Sequence, residues 1–202
     1  IEFADAQVGR VIDALEQSAY ADDTIIVLWS DHGWHLGEKS HWRKFALWEH
    51  STRVTFLIVA PGVTEPSGRS PRPVNLVDIY PTLVDLVGLP TPSGLDGVSL
   101  RPLLEVPEAS WERASLTTHG RGNHAVRGER WRYIRYADGS EELYDHGADD
   151  PEWHNLAGDP AYDDVKKRLS RWIPKEEALN APSRQMSPPP VSRLIDERTN
   201  LQ

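Results

Sequence analysis

Apolar positions in the first twenty residues recur at helical spacing. Val8, Val11, Ile12 and Leu15 fall at i, i+3, i+4 and i+7, with Asp5, Gln7, Arg10, Asp13 and Glu16 around them. That period predicts an amphipathic helix over residues 4–20. Ala21-Asp22-Asp23 then turns the chain into an unbroken apolar run, Ile25 to Trp29. A short run rich in β-branched residues predicts a strand buried on both faces of a parallel sheet. Helix, turn and buried strand make an αβ unit. A helical turn is expected around Phe45–His50, and a second strand over Val54–Ala60, closed by Pro61-Gly62. Residues 63–73, rich in Pro, Ser and Gly, read as a surface loop.

Leu76, Ile79, Tyr80, Leu83, Leu86 and Val87 restore the 3.6-residue period. Asp78 is placed to cap that helix, Pro81 falls in its first turn, and Gly88 and Pro90 stop it. Residues 91–107 read as loop. From Ser115 the pattern shortens to runs at 116–119, 124–127, 131–136 and 142–144, separated by Gly-bearing turns. These predict a small antiparallel sheet with one face packed and one wet. Val165, Leu169 and Trp172 mark one side of a short helix covering it. The expected organisation is an α/β core over residues 1–110, a small sheet-plus-helix subdomain over 111–173, and an extended Pro-containing tail over 174–202.

Composition narrows the classes. Apolar residues make up 39% of the chain, with eight Trp, which is enough for a core. A net charge of −9 argues against a nucleic-acid partner, which needs a basic footprint. No apolar run reaches the roughly 18 residues of a membrane span. Without Cys there is no disulfide, thiolate metal site or cysteine nucleophile, and the compartment stays open. The chain starts at Ile1, inside a predicted helix and without a visible signal segment. The expectation is that it is the carboxyl-terminal part of a longer protein.

The first apolar strand ends at Ser30-Asp31-His32-Gly33. Open α/β sheets place ligands outside the carboxyl ends of their strands. The loop that follows carries Lys39, His41, Arg43 and Lys44. Asp31 and His32 are therefore candidate metal ligands, and Lys44 a candidate anion-binding and catalytic lysine. A cation polarises ester oxygens while an ammonium group offsets charge that grows in the transition state. The competing readings are that Asp31 only starts a turn and that the lysines form a solvated charge run. Another is that His32, His35, His41 and His50 supply a zinc site, since imidazole suits zinc whereas oxygen donors suit calcium. His119 and His124 flank the flexible Gly120-Arg121-Gly122-Asn123 segment; His124 is a candidate substrate contact against a plain hairpin connection.

The strings Ser30-Asp31-His32-Gly33-Trp34, Leu36-Gly37-Glu38 and Trp42-Arg43-Lys44 resemble the carboxyl-half signature of type I sulfatases, in the iduronate-2-sulfatase-like branch that has His after Asp. Residues 131–145 and 150–156 also look like sulfatase sequence, and the resemblance runs over most of residues 1–173. It implies part of an alkaline-phosphatase-like, mostly parallel α/β sheet with flanking helices, plus a small antiparallel carboxyl-terminal subdomain. It implies one Ca2+ held by Asp31 and His32, with Lys44 on the sulfate of a sulfated carbohydrate or aryl sulfate. It also implies a periplasmic or secreted location. The family's nucleophile is a formylglycine made from Cys or Ser, and paired aspartates near the amino terminus complete its metal site. Neither is present here. The missing amino-terminal half is thus the expected partner, and the isolated chain is expected to be inactive. A phosphoester hydrolase of the same superfamily and a non-catalytic interaction module are the alternatives.

Overall fold

The structure, a computed structural model, describes residues 1–179. Most of the expected tail, from residue 180 on, lies outside the described residues. The chain runs α1 (Glu2–Glu16), β1 (Ile26–Trp29), β2 (His35–Leu36), β3 (Trp42–Arg43), α2 (Glu49–Thr52), β4 (Phe56–Val59), α3 (Ile79–Leu86), α4 (Arg101–Glu105), β5 (Ser115–Thr118), β6 (His124–Arg127), β7 (Trp131–Arg135), β8 (Glu141–Asp145) and α5 (Asp163–Ser170).

The two long apolar runs form strands as their composition predicts, but they pair with each other, antiparallel, in the register Ile26↔Val59 to Trp29↔Phe56. The segment between them carries only short elements and no crossover helix, so the chain returns in the opposite direction. The parallel pairing expected around Ile25–Trp29 is not formed among the described residues. Nor is the run buried on both faces. Leu28, Trp29, Leu57 and Val59 are all exposed, and no third strand among the described residues joins the pair. The apolar face of α1 is likewise uncovered at Val8 and Val11.

In the α3 region the predicted punctuation is present. Asp78 precedes the helix, and its carboxylate accepts from the Asn75 and Val98 backbone amides, both at 2.9 Å, instead of capping α3. Pro81 is buried in the first turn, where its missing N–H costs little. Gly88 stands at φ +69, and Leu89 N donates back to Val84 O at 3.0 Å to close the end. The helix α4, inside a stretch read as loop, is five residues long and too short to show a period.

Strands β5 to β8 form an antiparallel meander in chain order. One face carries Val126, Tyr133 and Leu143 against Leu169 of α5 and Ile173. The other carries Ala125, Ile134 and Tyr144 against Leu47. Both faces are therefore packed, and the wet face expected for residues 131–136 is covered: Arg132 is 2% and Ile134 0% exposed. Arg132 tolerates burial because its guanidinium is paired with Glu49 and Glu152.

Candidate functional site

The loop after β1 is built from short contacts. Ser30 N donates to Thr55 O at 3.1 Å, and Gly33 N to Ser51 O at 2.9 Å. Ser30 Oγ donates to His32 O at 2.8 Å. A Cβ at Gly33 would lie 2.0 Å from the His50 carbonyl oxygen and 2.8 Å from that of Arg53. Only glycine lets this backbone lie against residues 50–55.

Held in this way, the loop presents Asp31 and His32 side by side. His32 Nδ1 lies 2.8 Å from Gly33 O. A carbonyl oxygen only accepts, so the proton of that bond sits on Nδ1. Nε2 then faces Asp31 Oδ2 at 3.5 Å. An imidazole whose far nitrogen donates to a backbone carbonyl while its near nitrogen points outward is the arrangement seen in metal-bound histidines. The carboxylate and Nε2 converge on one place, where a cation would relieve their repulsion. The donor set fits a divalent cation in part, because calcium takes roughly six to eight oxygens. One carboxylate and one imidazole leave most of that shell to other groups.

Strands β2 and β3 pair as a short ribbon, His35 opposite Arg43, and Lys44 follows directly. Its Nζ lies 5.8 Å from the centre of the Phe45 ring. The His119 ring also meets Phe45, at 5.8 Å, so Phe45 is shared by the lysine and the start of the Gly120 loop. Sequence reasoning singled out the other histidine of that loop. His124 is 1% exposed; its Nδ1 lies 2.9 Å from Thr118 Oγ1 and its Nε2 3.1 Å from Glu177 Oε1. With both ring nitrogens engaged, His124 joins β6 to the segment at Glu177.

Three of the four histidines of the alternative zinc site lie together, but their donor atoms are not all within 4.8 Å of one another. His35 is fully buried, 5.1 Å from the His41 ring and 5.4 Å from that of His50. Among the described residues, the one group of three metal-capable side chains with donor atoms within 4.8 Å of one another is Glu49, His146 and Glu152. That group already has its countercharge. Arg132 pairs with both glutamates and Arg127 with Glu49, while His146 Nε2 lies 2.9 Å from Glu152 Oε1.

Burial, then the neighbouring His41 and His50, hold the pKa of His35 below its ordinary value of 6.5. The unfolded chain therefore binds this proton more readily than the folded one. The contribution of neutral His35 to stability is present above about pH 6.5 and is lost as pH falls below it. Between about pH 7.5 and about pH 5.5, the urea midpoint of the wild type is expected to fall more than that of His35→Gln. Parallel curves would contradict this.

Residues 1–89 match the sulfatase family. The likeness is to sulfatases along most of the chain. A sulfatase of Formosa agariphila is 41% identical over 88% of this chain and 35% of its own length. The structure of BT4656 with its substrate D-glucosamine-2-N,6-O-disulfate superposes with a TM-score of 0.74, at 29% identity over 83% of this chain and 36% of that one. The phosphonate monoester hydrolase of Silicibacter pomeroyi superposes at 0.71, with 31% identity over 83% of this chain and 37% of that one. The fold is thus part of the alkaline-phosphatase-like α/β architecture shared with sulfatases. The chain spans about a third of the length of these relatives.

Proposed function

We propose that this chain is the carboxyl-terminal part of a metal-dependent sulfatase, and that it contributes Asp31, His32 and Lys44 to a site hydrolysing sulfate esters of sugars. The observation that carries this reading is the convergence of the Asp31 carboxylate and His32 Nε2 at the end of β1, with His32 Nδ1 anchored on Gly33 O. The sulfatase likeness and the sulfated glucosamine bound by BT4656 support the substrate class. His32 beside Asp31 favours the iduronate-2-sulfatase-like branch.

Asp31 and His32 would hold one calcium-type cation, which when bound polarises the non-bridging oxygens of the ester. Gly33 and Ser30 fix the direction from which the two ligands approach. Lys44 places a compact positive charge where negative charge grows as the ester bond breaks. The nucleophile and the remaining ligands come from an amino-terminal portion, and the isolated chain is inactive and holds calcium weakly. The exposed strands β1 and β4, and the apolar hollow between residues 23–25 and α3, are where that portion would pack.

Steady-state assay of the protein carrying both portions, with a sulfated aryl ester, tests this. Lys44→Ala is expected to lower kcat/KM roughly 100-fold, and unchanged turnover would remove the lysine from the mechanism. The likeness to phosphonate monoester hydrolases favours one second reading, a phosphoester or phosphonate hydrolase. A preference for phosphonate over sulfate monoesters in the same assay would establish it.

A further inference from the structure

Two cationic residues besides the catalytic candidate, Lys39 and Arg43, crowd the segment between β2 and α2 together with His41. The segment is an arch in an unusual backbone conformation. Lys39, Ser40 and Arg43 all lie at positive φ, +54, +56 and +75, without being glycine. Each such residue is strained and persists only when its surroundings hold it there. The surroundings here are β7, β8 and the turn at Glu152.

At one foot of the arch, Lys39 Nζ donates to Tyr144 Oη at 3.0 Å and to the Glu152 carbonyl oxygen. It lies 4.5 Å from the centre of the Tyr144 ring and 4.9 Å from that of Trp48. Tyr144 Oη donates to Glu142 Oε2 at 2.5 Å, and Trp48 Nε1 donates to the same oxygen at 2.7 Å. The contacts close a ring from Lys39 through Tyr144 and Glu142 to Trp48 and back. At the other foot, Arg132 Nη1 donates to Leu47 O at 3.0 Å, and Glu49 N donates to Glu152 Oε2 at 2.9 Å. Lys44 lies between these two feet.

We infer that Lys39 is a positioning residue and not an anion-binding one: it ties the arch to the small sheet and so sets where Lys44 stands. The assignment rests on the sulfatase reading, in which Lys44 touches the ester. A lysine displaced by about 1 Å loses up to roughly 100-fold in rate, so a tether acting through Lys44 has a signature that a general loss of structure lacks. The effect of cutting it disappears once Lys44 is gone.

The test is a double-mutant cycle in the protein carrying both portions, assayed with a sulfated aryl ester. Lys39→Met keeps the aliphatic stem and removes the ammonium. It is expected to lower kcat/KM about tenfold in the presence of Lys44 and less than about twofold in the Lys44→Ala background, with Lys39→Arg recovering part of the loss. Tyr144→Phe removes one acceptor at nearly constant shape and is expected to show the same coupling; it decides the matter if Lys39→Met does not fold. Equal losses in both backgrounds, or no loss in either, overturn the positioning role and leave the sulfatase reading standing. If Lys44→Ala alone leaves turnover unchanged, Lys44 has no place in the mechanism and the role of Lys39 falls with it, whereas a wild-type protein that does not turn over the sulfated ester sinks the sulfatase reading itself.

Discussion

Asp31→Ala is expected to lower kcat/KM for a sulfated aryl ester by more than roughly 100-fold and to raise the calcium concentration needed for half-maximal activity. Loss of a group that merely orients a metal ligand costs roughly 10–100-fold, and in the proposed reading Asp31 would itself be a ligand. The variant should fold. The Asp31 side chain is 80% exposed, and the ion pair recorded for it among the described residues is the 3.5 Å approach to His32. Removing it takes no packing from the loop, which is held by Ser30, Gly33 and their backbone partners. Steady-state kinetics across a calcium titration measure both effects. Wild-type turnover with an unshifted calcium requirement would remove Asp31 from the metal site.

Glu49→Ala is expected to destabilise the chain by about 3–5 kcal/mol, out of a total that for most domains is about 5–15 kcal/mol. Glu49 is buried, and burial pushes its pKa up. The charges of Arg132 and then Arg127 outweigh burial and hold it below its ordinary value of 4.5. It is therefore ionised at neutral pH, and its stabilising effect is present above about pH 4.5 and lost as pH falls below it. Without Glu49, half-buried Arg127 loses the carboxylate that pairs with it, and among the described residues Arg132 keeps the carboxylate of Glu152. A stranded buried charge is the costly state. Replacing a whole ion cluster by apolar residues is often neutral, whereas breaking one is not. Urea unfolding at neutral pH measures the difference, and a loss below about 1 kcal/mol would place these charges in the class of solvated surface pairs.

Local chemistry was legible in the sequence. The apolar run stopped by Ser30-Asp31-His32-Gly33 located the loop, and Gly88 and Pro90 located the end of α3. Short runs between Gly-bearing turns located the meander. Pairings distant along the chain were not legible. Arg132, alternating with Tyr133 and Ile134, read as the wet side of a strand because nothing local shows that Glu49, 83 residues earlier, covers it. The same holds for His124, whose partner Glu177 lies 53 residues on. For β1, composition indicated a strand but not its partner. A β-branched run looks alike in a parallel sheet and in an antiparallel pair, and only the returning connection distinguishes them. Positive φ at Lys39, Ser40 and Arg43 left no trace in the sequence, since these are not the residue types that adopt it readily.

The anchoring of the arch has a consequence for timing. Lys39 and Tyr144 are 105 residues apart. During synthesis the arch leaves the ribosome long before the hairpins that will grip it exist. Neighbouring strands of the meander close over short loops, and the arch has nothing to settle onto until they have done so. The geometry around Lys44 is thus among the last features of this chain to become fixed, although its residues precede the hairpins along the chain.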